Sequence, residues 1–183
     1  MTEDRTMTHF EEFENALMQS AESLFATLKQ PAISWKPCPR PRPSHEDTVL
    51  ASLGFGGDHF RGNVIIASSL ASAKPFCPPI LGELDDSTVC DMFGEVGNML
   101  LGRLKHEILH LGVTIHIGLP TTALAPPGRM APPRDGASWH VFHLPGGPIF
   151  IRLAATFEKA FEFTRNDEEK TAPIGVEGDL FFF

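Results

Sequence analysis

Glu95 and Asn98 stand three positions apart in a segment whose apolar residues recur with helical spacing. A carboxylate accepts hydrogen bonds and attracts cations, whereas a carboxamide both donates and accepts hydrogen bonds without carrying a charge. On a helical wheel of about 100° per residue the two side chains lie one turn apart on the same side. The spacing therefore predicts a polar working surface on a helix, and its structural alternative is an ordinary solvated helix face.

The helix that carries these residues is predicted over residues 87–111. Asp85, Asp86 and Ser87 are its N-cap candidates, and Gly112 follows as a C-terminal stop. The polar side of the wheel contains Asp91, Glu95, Asn98, Gly102 and Lys105. The opposite side, which we expect to be buried, contains Val89, Phe93, Val96, Leu100, Leu104 and Leu111.

Three glycines occur within this helix, although a glycine in an exposed helix interior costs roughly 1 kcal/mol relative to alanine. Gly102 lies on the polar side, where the absence of a side chain leaves a flat surface that another backbone can approach. Gly94 and Gly97 lie away from that side, and we expect them to permit close packing within the domain. The glycines therefore indicate constraints other than helix stability.

The rest of the chain predicts a second amphipathic helix over residues 8–29 and several short strands. Strands are expected at 33–36, 48–55, 62–68, 113–117, 139–144 and 149–155, with hairpin turns at 56–58 and 145–148. Residues 37–43 and 124–136 are rich in proline and are expected to be loops, whereas 158–164 fits either a helix or a strand. The resulting fold class is α+β, with two long helices packed on an antiparallel sheet.

Composition narrows the function classes. The chain has 183 residues and a formal net charge of -8, which argues against a nucleic-acid partner. No apolar run reaches the ~20 residues of a membrane span, and no signal-peptide core is present, so we expect a cytoplasmic protein.

Cys38, Cys77 and Cys90 have no metal or disulfide spacing and are expected to be reduced thiols. One domain over 1–165 and a tail over 166–183 are predicted, with no role assigned to Phe181, Phe182 and Phe183 beyond packing on this or a neighbouring chain.

A zinc-peptidase motif is the sharpest competing pattern. His106, Glu107 and His110 form H-E-x-x-H, and His116 stands where a third ligand would follow. That pattern needs a glycine at the position of Val113 to turn the chain, and Val113 instead opens an alternating strand. We therefore interpret the histidines as residues near a helix end and expect no metal site.

The spacing Asp91-x3-Glu95-x2-Asn98-x21-Pro120 resembles the signature of the CheC/CheX family of chemotaxis phosphatases. The segments GEVGNMLLGRLK at 94–105 and GVTIHIGLP at 112–120 are similar to its CheX-like branch, as is the glycine-containing hairpin at 54–68. The resemblance covers most of the chain up to about residue 155. It implies a CheC/CheX-like single domain and CheX-like pairing into a homodimer through sheet edges.

The resemblance also implies a substrate and residue roles. The substrate would be the aspartyl phosphate of a CheY-like response regulator, with Glu95 pairing with a regulator lysine and Asn98 orienting the attacking water. Mg²⁺ would be held by the regulator, so this chain would need no cofactor of its own. Asp91, Gly102, Lys105 and Pro120 would complete the binding surface. The alternative within the same resemblance is a non-catalytic regulator-binding or scaffold module of a two-component system.

A second copy of the spacing occurs on the first helix, at Thr8, Glu12, Asn15 and Pro37. CheC-like members carry two such sites, whereas CheX-like members keep one. No glycines flank Asn15, and three neighbouring glutamates would repel a regulator's acidic pocket. We therefore expect the site around Asn98 to be the working one.

Overall fold

An antiparallel sheet forms one layer of the protein in the computed structural model, which describes residues 8–32, 34–38, 45–77, 84–127 and 139–164. The strand order is β1-β6-β7-β3-β2-β4, and β5 also pairs with β2. The strands are β1 Ser34–Cys38, β2 Thr48–Gly57, β3 Phe60–Ser69, β4 His116–Ile117, β5 Thr121–Ala125, β6 Trp139–Leu144 and β7 Gly147–Phe157.

Two long helices form the second layer, α1 at His9–Thr27 and α3 at Asp86–Leu109. A short helix α2 at Leu70–Ala73 continues into a 3-10 turn at Lys74–Phe76. The long helices pack against each other, and α3 also packs on β2. This arrangement confirms the expected α+β fold, with two long helices on an antiparallel sheet.

The core lies between the helices and one face of the sheet. Alternate residues of β2, including Val49 and Leu53, are fully buried on this face because successive strand residues point to opposite sides. Phe13 of α1 stacks on Phe55 of β2 with ring centroids 5.7 Å apart, and Phe93 of α3 is buried in the same cluster. Each such side chain contributes roughly 1.5–3 kcal/mol by leaving water. The core thus fixes α3 to the sheet along its whole apolar side.

The first hairpin turns later than the glycines indicate. The predicted turn at 56–58 is wrong, because β2 continues through Gly57 and the chain reverses at Asp58 and His59. His59, the second residue of this turn, adopts a positive φ of 64°. A Cβ on Gly57 would lie 2.5 Å from the Thr114 carbonyl oxygen, so this glycine serves close packing rather than the turn.

Edge pairing accounts for the other differences from the predicted strands. Residues 121–125 form β5 on β2, although 124 and 125 were expected to begin a loop. Only His116–Ile117 of the predicted 113–117 strand pairs with β2, although Val113 and Ile115 are buried as the alternation indicates. Pro37 lies within β1 rather than in a loop, which an edge strand tolerates because proline lacks only the outward amide.

Several sequence predictions concern the chain's remaining segments. Residues 158–164 form neither a helix nor a strand. The β6–β7 hairpin is confirmed, but its turn is shorter than the predicted 145–148, because β7 already begins at Gly147. The three cysteines are free thiols. The tail at 166–183, with Phe181, Phe182 and Phe183, lies outside the described residues, so the domain boundary stays a prediction. Among the described residues, no helix has the length and apolar character needed to cross a bilayer.

Candidate functional site

The helix that carries the candidate site begins at a well-formed cap. Asp85 accepts a hydrogen bond from the Thr88 backbone amide at 2.7 Å, and this bond holds the pKa of Asp85 below its usual value. Beyond the helix end, Gly112 adopts a φ of +73°, which favours glycine. Both signals were predicted from the sequence, and together they set the length of α3 and hence the register of its faces.

The two sides of α3 match the helical wheel. Val89, Phe93, Val96, Leu100 and Leu104 are all buried, and so is Leu111, which lies just beyond the end of α3 at Leu109. On the opposite side Asp91, Glu95, Gly102 and Lys105 are exposed, and Asn98 is half-buried. The amide Nδ2 of Asn98 lies 3.4 Å from both carboxylate oxygens of Glu95. Since good hydrogen bonds of this type are shorter, the contact is weak and a stronger partner can displace it.

The three glycines of α3 have different surroundings. A Cβ on Gly97 would lie 2.5 Å from Leu53 Cδ1, and a Cβ on Gly94 would lie 3.0 Å from Thr122 Cγ2. These two glycines therefore allow the helix to approach the sheet, as expected. A Cβ on Gly102 would meet nothing within 4 Å. Packing among the residues that the structure describes therefore gives no reason for glycine at this exposed position.

Two flanks hold the exposed face of α3 in place. On one side, Arg103 donates hydrogen bonds to Ser23 Oγ at 3.0 Å and to Thr27 Oγ1 at 2.9 Å, which ties α3 to α1. On the other side, a Cβ on Gly94 would lie 3.6 Å from Pro120 Cβ, so Pro120 is brought beside the helix. The hydrogen bonds of Arg103 were not predicted, because no sequence pattern pairs an arginine with hydroxyl groups some 80 positions earlier.

The candidate residues lie on an exposed side of a helix, outside the cavity that the described residues form. A cavity of about 330 Å³ lies elsewhere, between the β2–β3 turn, the segment after α3 and residues 160–164. Neither Glu95 nor Asn98 lines it. A single helix face does not by itself enclose a small molecule.

The second copy of the spacing, on α1, has a local structural explanation. Thr8 is the N-cap of α1, and its Oγ1 accepts a hydrogen bond from the Glu11 amide at 3.2 Å. The Glu11 carboxylate in turn accepts from the Thr8 amide at 2.8 Å, which completes a capping box. Asn15 is exposed, whereas Pro37 lies in the edge strand β1. Thr8 therefore has a structural role as a helix cap that does not depend on a partner protein.

The histidines of the H-E-x-x-H pattern lie at the end of α3. His106 is in its last turn, His110 is its C-cap, and His116 begins β4 opposite Gly56. Within the described ranges, no three His, Cys, Asp or Glu side chains are placed to share a metal ion.

We expect protein purified without chelator to contain well below one equivalent of zinc, because two of these histidines belong to a helix end and the third to a strand. Elemental analysis of the purified chain measures this directly. One equivalent of zinc that is lost in His106→Ala would contradict the expectation and favour the peptidase pattern.

A family model described as chemotaxis phosphatase CheX matches residues 49–143, which are 95 of the 183 residues. No protein of curated function matches at the level of significance applied. Since the matched segment spans more than half of the sequence, including α3 and Pro120, this chain belongs to the CheX family of chemotaxis phosphatases.

Solved structures share the fold. CheX from Vibrio vulnificus is 22% identical with a TM-score of 0.64, and the match covers 82% of this chain and 100% of that chain. CheX from Desulfovibrio desulfuricans is 17% identical with a TM-score of 0.64, covering 79% and 99%. A CheX–CheY–BeF3–Mg²⁺ complex from Borrelia burgdorferi contains a chain that is 21% identical, with a TM-score of 0.60 and coverage of 78% and 97%.

Proposed function

We propose that this protein hydrolyses the aspartyl phosphate of a CheY-like response regulator, using the exposed face of α3. The observation that carries the proposal is the pair of Glu95 and Asn98, which project one turn apart from an exposed helix face of a CheX-family domain. An exposed helix face suits a substrate that is itself a folded protein with its own pocket. The complex of a CheX with CheY, BeF3 and Mg²⁺ supports this class of partner.

In this mechanism Asn98 enters the regulator's phosphorylation site and Glu95 pairs with a lysine beside it. The Asn98 carboxamide accepts a hydrogen bond from a water molecule and holds it in line with the bond that breaks. The water oxygen attacks phosphorus, the bond to the aspartate oxygen breaks, and inorganic phosphate and a free carboxylate result. The regulator supplies Mg²⁺ and most of the electrostatic stabilisation, so we propose that this chain holds no cofactor.

The weak contact between Glu95 and Asn98 fits these roles. At 3.4 Å it joins the two side chains but costs little to replace. On docking, the Glu95 carboxylate exchanges the amide for a lysine, and Asn98 is freed to orient the water. Asp91 and Lys105 lie on the same exposed side of α3, and Pro120 lies beside Gly94; we propose that all three contact the regulator around the reacting group.

Gly102→Gln is expected to stabilise the chain but weaken regulator binding. Glutamine is a better helix former than glycine, and a Cβ at this exposed position meets nothing within 4 Å, so the free energy of unfolding should rise by roughly 0.5–1 kcal/mol. A regulator that approaches the bare backbone would meet this side chain, and KM should rise several-fold. Denaturant titration and steady-state kinetics measure the two effects. An unchanged KM would place Gly102 outside the contact surface.

A non-catalytic module that binds or scaffolds the regulator is the alternative function. We also propose a CheX-like homodimer, because edge strands such as β1 favour pairing with another copy. The cytoplasmic location is a further proposal.

The proposed function is tested by following the loss of aspartyl phosphate from the response regulators of the same cell, each with and without this protein. We expect at least one regulator to lose phosphate faster when the protein is present. No acceleration with any of them would contradict the proposal.

A further inference from the structure

Leu119 is a strongly exposed apolar residue close to the candidate site. Its side chain is 91% exposed, compared with 42% for Leu109 and 38% for Leu124. It lies in the three-residue connection between β4 and β5, directly before Pro120. A single exposed leucine is common on protein surfaces, so exposure alone does not assign it a role. Leu119 differs from other exposed leucines in its position beside the candidate site and in the contacts that hold the neighbouring backbone.

The backbone around Leu119 is held on both sides. The Gly118 amide donates a hydrogen bond to the Gly54 carbonyl oxygen of β2 at 2.8 Å. Pro120 packs beside Gly94 of α3, and the ring of Pro120 restricts the residue before it to extended conformations. Leu119 therefore projects from a fixed connection rather than from a long loop. A backbone that is already fixed loses little conformational entropy when a partner covers the side chain it carries.

This connection borders the side of α3 on which Asn98 lies. Gly94, the residue that contacts Pro120, and Asn98 are four positions apart, which is about 6 Å along the helix axis and about 40° around it. Thr122 also approaches Gly94, so the start of β5 continues the same border. A protein that covers Asn98 from the solvent side therefore extends towards Leu119.

We propose that Leu119 is a docking residue for the phosphorylated response regulator and inserts into an apolar depression beside its phosphorylation site. The proposal rests on the proposed function, since it names the partner of the same face. Leu119 takes no part in the chemical step. It contributes affinity and selects regulators that carry an apolar depression at that position. Glu95 and Asn98 instead contact the groups of the regulator's phosphorylation site that take part in the reaction.

The test compares Leu119→Ser with the parent protein on a purified CheY-like regulator. Covering a leucine side chain contributes enough that its loss should raise KM about 10- to 100-fold, with kcat at saturating regulator unchanged. The affinity for the regulator loaded with beryllofluoride and Mg²⁺ should fall by the same factor. Leu119→Met should stay close to the parent. Leu109→Ser is the matched control, because Leu109 is also exposed but lies 11 residues beyond Asn98, about 16 Å along the helix.

Each outcome separates the docking proposal from the proposed function. If the parent hydrolyses or binds the regulator and Leu119→Ser does so with the same KM and affinity, the docking proposal is wrong and the phosphatase proposal stands. If Leu119→Ser changes the sedimentation of the protein alone but not its regulator affinity, Leu119 belongs to an interface between copies, which also overturns the proposal. A parent that neither binds nor hydrolyses any regulator contradicts both.

Discussion

Asn98→Ala is expected to lower the rate of regulator dephosphorylation by on the order of 100-fold or more at saturating regulator. The loss falls on kcat because the carboxamide acts only where it orients water in the transition state. Asn98 is half-buried, and its side chain makes only the long contact to Glu95 among the hydrogen bonds of the described residues, so the free energy of unfolding should change by less than about 0.5 kcal/mol. Single-turnover kinetics and denaturant titration measure the two effects.

The chain offers a matched control for this variant. Asn15 is an exposed asparagine on the parallel spacing of α1, and Asn15→Ala should retain the parent rate. If Asn98→Ala hydrolyses the regulator as fast as the parent, the mechanism is wrong. If residual activity of Asn98→Ala disappears only in the double variant with Asn15→Ala, then α1 carries a second working site, and the expectation that the site around Asn98 is the working one is wrong.

Glu95→Ala is expected to raise KM about 10- to 100-fold, with a smaller effect on kcat. Its carboxylate is exposed in the free protein and becomes covered only when the regulator docks, so its loss leaves a regulator lysine without its partner. Glu95→Gln should show a similar rise in KM, because the charge rather than the shape of the side chain attracts the lysine. Added salt should narrow the difference between the parent and both variants.

Glu162→Ala removes the same charge from an exposed position beside the cavity at the far end of the domain. Its KM should stay within about twofold of the parent, because a distant exposed charge is largely screened at ordinary salt. Equal KM values for Glu95→Ala and Glu162→Ala would mean that Glu95 acts through net charge alone, and its assignment as a contact residue would be wrong.

The faces of α3 could be predicted from the sequence because a helix sets its own geometry. Once the period and the Asp85 cap are recognised, the positions of Glu95 and Asn98 follow without knowledge of the rest of the chain. The β6–β7 hairpin was predictable for the same reason, since Gly147 and its neighbours specify a local turn. The residues of the candidate site could be predicted because they lie on an element that is specified by local signals of this kind.

Features that depend on distant pairing could not be predicted. Residues 121–125 become β5 only because β2 presents a free edge there, and the five residues carry no clear alternation of their own. The same limit applies to Pro37, which joins a strand because β6 accepts it at the sheet edge. The tie from Arg103 to α1 and the exposure of Leu119 likewise depend on how the elements meet.

We expect each molecule of this protein to dephosphorylate many regulator molecules. The most direct measurement is dephosphorylation with far less protein than regulator. A phosphorylated CheY-like regulator in about 50-fold excess is mixed with the protein and Mg²⁺, and released inorganic phosphate is followed over time. A phosphatase releases many phosphates per molecule, so we expect complete dephosphorylation well before the regulator's unassisted decay. A binding module covers only the small bound fraction, and a phosphate release rate unchanged from that of the regulator alone would contradict the proposed function.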